Sequence, residues 1–207
     1  MNTFIPENQF RTAAMRLDKK RLVKQRLEAL DCLYVVLATN STERKISLPA
    51  DLHAYFPVSY TRTGPLVIKR WRNHACVRQW MENPYTLAHY LFQIAYECDH
   101  QKVADNAAVS RCASKLLADL NFRAERELNR THWWTNTYFI HQHRAALLQK
   151  DFAHYSEFYP FITPAPTSDY FWWDPVQERF YRIVKAARKI PHHYVYYDFL
   201  PVGDSSA

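Results

Sequence analysis

Glycine is almost missing from this chain. Only Gly64 and Gly203 occur among 207 residues. Phosphate-cradling loops of the GxGxxG and Walker types need several glycines at fixed offsets, so the common nucleotide-binding folds are excluded. Long apolar-periodic stretches with so little glycine predict an all-α chain. We expect a single compact helical domain over residues 1–207, with about five helices joined by long aromatic loops. No internal repeat or low-complexity linker interrupts it, and 48% hydrophobic content argues against disorder.

Charge and cysteine usage narrow the partners. The formal net charge is +7, which makes nucleic acid or another polyanion the leading partner class, with plain solubility as the alternative. Cys32, Cys76, Cys98 and Cys112 have no CxxC spacing and read as reduced, mostly buried thiols of a cytoplasmic protein. No apolar run approaches 18 residues and no signal-peptide core opens the chain, so neither a membrane partner nor export is expected. Glu97-Cys-Asp-His100 contains ligand types at no standard spacing, and His141 and His143 face different ways on a helix. No metal and no cofactor are therefore expected. A monomer is the expected assembly.

The strongest candidate for a site is Leu17 to Glu28, where five of twelve residues are Lys or Arg and Glu28 closes the run. Val23, Leu27, Leu30, Tyr34 and Leu37 are spaced as one apolar stripe of a helix. Arg21, Lys24, Gln25 and Glu28 then project from the other side. The bland reading is a solvated face with a Lys24–Glu28 pair worth about 0.3 kcal/mol. The sharper one is a site, in which Lys20, Arg21, Lys24 and Arg26 hold phosphates, Gln25 orients, and Glu28 does chemistry.

Two further clusters carry cations. Lys69-Arg-Trp-Arg-Asn-His74 with Arg78 and Trp80 interleaves basic and aromatic residues, which suits phosphate contact and base stacking. Arg72, Asn73, His74 and Arg78 are its candidates, against a helix start with Trp71 and Trp80 in the core. His143, Arg144 and Lys150 lie in a later helical stretch and are candidates for phosphate or sugar contact. The first helix is expected from about Thr12 to about Ala38. Asn83-Pro84 signals a helix start, and Leu87, Leu91, Ile94, Ala95 and Cys98 then make its core stripe. Ala107 to Leu120 reads as another helix. Asp174-Pro175 is expected to start a final one, with Val176, Phe180, Ile183, Val184 and Ala187 apolar and Arg179, Arg182, Lys185, Arg188 and Lys189 opposite.

Three blocks carry a resemblance. They are Met1-Asn-Thr-Phe-Ile-Pro6 with Leu17-Asp18, Arg21-Leu22 and Lys24-Gln-Arg-Leu-Glu28; Trp71, Asn73-His74, Val77-Arg78 and Trp80; and His143-Arg-Ala-Ala-Leu-Leu148 with Lys150-Asp151, His154-Tyr155 and Tyr159-Pro160. Together they resemble an uncharacterised bacterial and phage family related to pyrimidine-dimer DNA glycosylases of the phage endonuclease V type. Residues 102–130 and 189–207 look like additions to it. The resemblance implies an all-α fold and an α-amine that attacks C1′ of the deoxyribose, beside a helix glutamate that matches Glu28. Its characterised members expose threonine after Met removal, whereas position 2 here is Asn. The larger side chain disfavours removal, so the implied nucleophile is the amine of Met1, or of Asn2 after processing. Lys24 is a fallback Schiff-base lysine. A water-using glycosylase with Glu28 as base is a variant. Two other readings stay open: a non-catalytic DNA-binding protein on the same scaffold, and an enzyme cleaving the N-glycosidic bond of a free nucleotide.

Overall fold

The structure is a computed structural model that describes residues 3–42, 56, 69–103, 107–120, 132–165, 171–184 and 193–197. The described residues are mostly helical: α1 Phe10–Arg16, α2 Lys19–Thr42, α3 Ala75–Trp80, α4 Pro84–His100, α5 Ala107–Leu120, α6 Thr137–Lys150 and α7 Phe152–Tyr155. A three-stranded antiparallel sheet, in the order β1-β2-β3, completes them: β1 Phe171–Asp174, β2 Arg179–Val184 and β3 His193–Tyr197. By contact the chain divides into two compact units. One takes the described residues of Met1–Phe4 and Phe10–Arg130, the other Ile5–Gln9 and Thr131–Ala207.

In the first unit the expected helix from Thr12 to Ala38 is two helices. Asp18 makes the break. Its Oδ1 accepts the Arg21 N–H at 3.1 Å, and its carbonyl accepts the Leu22 N–H at 2.8 Å. Those are the bonds of a helix N-cap, and they restart the ladder one residue beyond Leu17. From Cys32 to Asn40 every residue of α2 is buried, so this half is covered on all sides and forms the centre of the unit. Helix α4 packs along it and buries Leu87, Leu91, Ile94, Ala95 and Cys98, as its stripe predicts. Phe10, Trp80 and Tyr90 form an aromatic block: Phe10 meets Tyr90 edge-on at 5.5 Å, and Trp80 stacks on Tyr90 at 6.3 Å. All four cysteines are free and buried.

The N-terminal half of α2 corrects the expected stripe. Leu22, Ala29, Leu30 and Leu33 are buried, whereas Leu27 is 45% exposed and Val23 half-buried. The inward face is rotated because it contains Gln25, which is fully buried. A periodicity counted on apolar residues alone turns such a glutamine outward.

In the second unit Asn136 caps α6, its Oδ1 accepting from the Tyr138 and Phe139 N–H groups at 3.0 and 3.2 Å. The expected final helix from Asp174 is instead a β-hairpin. Asp174 Oδ1 accepts from the Val176 N–H (3.0 Å) and Gln177 N–H (3.3 Å), which is locally what a helix N-cap does. The chain then turns at Glu178, whose φ is 51°, and β2 pairs back with Trp173 opposite Phe180. Those two rings meet edge-on at 5.1 Å. Neighbouring Phe180 and Tyr181 are both buried, and on a strand they point to opposite faces, so both faces of β2 are covered here. Tyr194 and Tyr196 lie in β3, paired with Ile183 and Tyr181. Lys185, Arg188 and Lys189 lie outside the described residues.

Candidate active site

Gln25 organises the site. Its Oε1 accepts the Phe4 N–H at 2.8 Å and faces the Tyr90 hydroxyl at 2.9 Å. Its Nε2 donates to Glu28 Oε2 at 3.1 Å. The Tyr90 hydroxyl also lies 2.9 Å from the Phe4 carbonyl, so one phenolic proton serves two acceptors. One residue earlier, Thr3 is fully buried. Its Oγ1 accepts the Trp80 indole N–H at 3.0 Å and lies 3.7 Å from Cys76 Sγ. The start of the described chain is thus bonded to α2, α3 and α4. Leaving any one of these buried groups without its partner costs about 1–3 kcal/mol, which is why the segment does not fray.

Glu28 stands at the border between this interior and the outer face of α2. Its side chain is 16% exposed, and Oε1 lies 3.8 Å from the Lys24 ammonium, itself 65% exposed. Lys20 is exposed and Arg26 half-buried. Arg21 pairs with Asp18 at 3.5 Å. A carboxylate in this position is held from the interior on one oxygen and faces an exposed ammonium with the other, beside cations able to meet phosphates.

The second cluster is joined to the first through the same segment. His74 caps α3, its Nδ1 accepting the Cys76 N–H at 3.1 Å. The proton of the neutral ring therefore sits on Nε2. Partial burial pushes the His74 pKa down to about 4, so the ring is neutral at pH 7. Burial pushes the Cys76 thiol up, but hydrogen bonds from Cys32 and Thr3 outweigh it and hold the thiol below its ordinary value. Arg72 and Asn73 are exposed and Arg78 half-buried. Trp71 is half-buried with the Arg70 guanidinium 4.7 Å above its ring. Trp80 is core, so of the two tryptophans only Trp71 presents a surface.

The third cluster lies in the other unit, and two of its members face inward. His143 is 1% exposed. Its Nδ1 accepts the Ile5 N–H at 2.7 Å, and its ring lies 4.3 Å from that of Phe139. A side chain so buried has no face left for a phosphate. Arg144 binds Glu7 Oε2 and the Pro6 carbonyl, both at 2.7 Å, and lies 5.0 Å above the Tyr159 ring. Its guanidinium is spent on the Ile5–Glu7 segment. Lys150 alone of the three is exposed. Met1 and Asn2 lie outside the described residues.

Sequence reasoning missed Thr3, Trp80 as a donor, and Tyr90. A signal existed for Tyr90. It lies about one helical turn from Leu87 and from Ile94, on the core stripe of α4. A buried tyrosine hydroxyl there needs a partner. Among the described residues no group of three or more His, Cys, Asp or Glu could hold a metal ion, and no helix is long and apolar enough to cross a membrane.

On α2 the Glu28 carboxylate thus stands among Lys20, Lys24 and Arg26. Residues 1–110, more than half of the chain, match the family model described as pyrimidine dimer DNA glycosylase. The chain belongs to that family. No curated protein and no solved structure matches it. The match covers the Gln25–Glu28 site and the His74 cluster; the His143–Lys150 block lies beyond it.

Proposed function

We propose that this protein is a DNA glycosylase that excises damaged or modified pyrimidines from duplex DNA, with an AP-lyase step carried by the N-terminal amine and Glu28. The observation that supports this most is the shared carboxamide of Gln25. One end binds the Phe4 N–H and the other binds Glu28. The chain start is two residues from Thr3, which is itself bonded to Trp80. Phe4 is thus linked to the Glu28 carboxylate through a single carboxamide. The family match supplies the substrate class.

In this reading the amine attacks C1′, the C1′–N bond breaks, and the base leaves with a proton. The sugar ring then opens, its C1′–O4′ bond breaking as O4′ takes a proton, and the iminium so formed loses its C2′ proton. The C3′–O bond then breaks, and hydrolysis returns the amine. Glu28 stabilises the developing positive charge and moves the protons. The amine divides one difficult displacement into easier steps. Lys20, Arg21, Lys24, Arg26, Arg72, Asn73, His74, Arg78 and Lys150 are the proposed contacts to the strand. His143 and Arg144 leave that set because of where they sit. The duplex must be opened for C1′ to be reached.

Borohydride trapping on lesion-bearing and abasic duplexes tests the reading. The wild-type protein is expected to give a covalent adduct that maps to its N-terminal peptide. Glu28→Gln is expected to lose base release by at least about a hundredfold while still binding the duplex. No adduct, together with full base release by Glu28→Gln, would exclude this mechanism. Binding with no base release from any variant would make the protein a non-catalytic reader of DNA.

A further inference from the structure

The site leaves open which oxygen of Glu28 reacts and what keeps it in place. Phe4 N is a backbone amide and can only donate. The Gln25 atom it faces at 2.8 Å must therefore be the carbonyl oxygen. The carboxamide has no freedom to flip, because the reversed form would set an NH2 group against that N–H. Its other end is then necessarily an N–H donor, and it lies 3.1 Å from Glu28 Oε2. Tyr90 packs against the same group. Its hydroxyl lies 2.9 Å from both the Gln25 carbonyl and the Phe4 carbonyl and is fully buried.

We propose that Tyr90 and Gln25 are positioning residues that tie up Glu28 Oε2 and present Oε1 as the oxygen that meets the substrate; the proposal rests on the glycosylase reading above. Oε2 is held from the interior side by Gln25. Oε1 lies on the side of the exposed Lys24 ammonium, 3.8 Å away, where a phosphate-bound strand would arrive. Because the network also bonds both the N–H and the carbonyl of Phe4, it sets the carboxylate and Phe4 against one common support. Proton transfer at the sugar then runs through one oxygen in one direction, as preorganised acid–base catalysis requires.

Gln25→Glu separates positioning from packing. The substituted side chain has the same shape and still accepts from the Phe4 N–H and Tyr90. It replaces the fixed neutral N–H donor with a second carboxyl, which must share a proton with Glu28 across the former 3.1 Å contact, so Oε2 is no longer held by a group that can only donate. We expect kcat for base release to fall by about tenfold or more while Kd for the duplex stays within about threefold. Tyr90→Phe keeps the Phe4–Gln25 bond and loosens the carboxamide, so a smaller loss of kcat, about threefold, is expected at unchanged Kd. Wild-type kcat in Gln25→Glu overturns the proposal. If that variant does not fold, as judged by its melting curve, Tyr90→Phe decides: unchanged kcat overturns it, and a kcat loss at unchanged Kd supports it. Glu28→Gln in parallel keeps the two levels apart. If the wild type releases no base, the glycosylase reading itself fails; if Glu28→Gln retains base release, Glu28 is not the catalytic carboxylate; if Glu28→Gln is inactive and Gln25→Glu is not, only the positioning proposal fails.

Discussion

Two histidines show how far a residue's surroundings can move its role. His143 read as a contact to DNA, yet it is an internal acceptor for the Ile5 N–H, and burial pushes its pKa down to about 3. An unfolded histidine titrates near 6.5. Below that pH the unfolded chain takes up a proton that the folded ring refuses. The stability from neutral His143 is therefore full above about pH 6.5, and falls by up to about 1.4 kcal/mol per pH unit as pH drops toward 3. His74, pushed down to about 4, adds to the same slope over most of that window. In His143→Gln the new carboxamide still accepts the Ile5 N–H but cannot titrate. Urea unfolding between pH 7 and pH 4 should show a shallower loss of stability in this variant than in the wild type. An identical slope would mean that the ring is not held neutral.

At the scale of elements, the same local hydrogen bonds lead to different structures. Asp18 receives the Arg21 N–H and starts α2. Asp174 receives the Val176 and Gln177 N–H groups and starts a hairpin turn. Cross-strand pairing decides the second case, because Trp173 and Phe180 can only meet if the chain doubles back. Asp18→Ala should cost about 1 kcal/mol by removing the cap, read as a lowered melting temperature. It also removes the carboxylate that pairs with Arg21, so duplex binding should not weaken. A melting temperature equal to that of the wild type would show that the break between α1 and α2 is held by packing alone.

For the molecule as a whole, a net charge of +7 says that duplex binding should fall steeply with salt. Structure divides the cations into those that face solvent and those turned onto the protein itself. Lys20, Lys24 and Arg72 are exposed. Replacing any one by Gln should weaken binding evenly across sequences and lower the slope of log K against log salt by about 1. Arg144→Gln should leave that slope alone and lower stability instead, because Arg144 is bonded to Glu7 and Pro6. Filter binding at several salt concentrations, beside melting curves, checks both. Equal slope changes for Arg144 and Lys24 would contradict the assignment.

What the residues by themselves determined is local and compositional. Asn83-Pro84 and the apolar spacing after it marked α4, Ala107 to Leu120 read as the helix α5, and the cation run ending in Glu28 marked a candidate site. Helix periodicity and capping are properties of neighbouring residues, so they can be read without the fold. Tertiary structure decided everything that depends on residues far apart. Gln25 faces inward because Phe4 and Tyr90, 21 and 65 positions away, complete its hydrogen bonds. His143 faces inward because Ile5, 138 positions away, donates to it. The Asp174 segment is a strand turn because its partner strand lies beyond the turn. A buried polar side chain is stable only with its partner, and the partner's place is known only once the chain has folded. Polarity counted along the sequence turned these side chains toward solvent; hydrogen bonding across the fold turned them in.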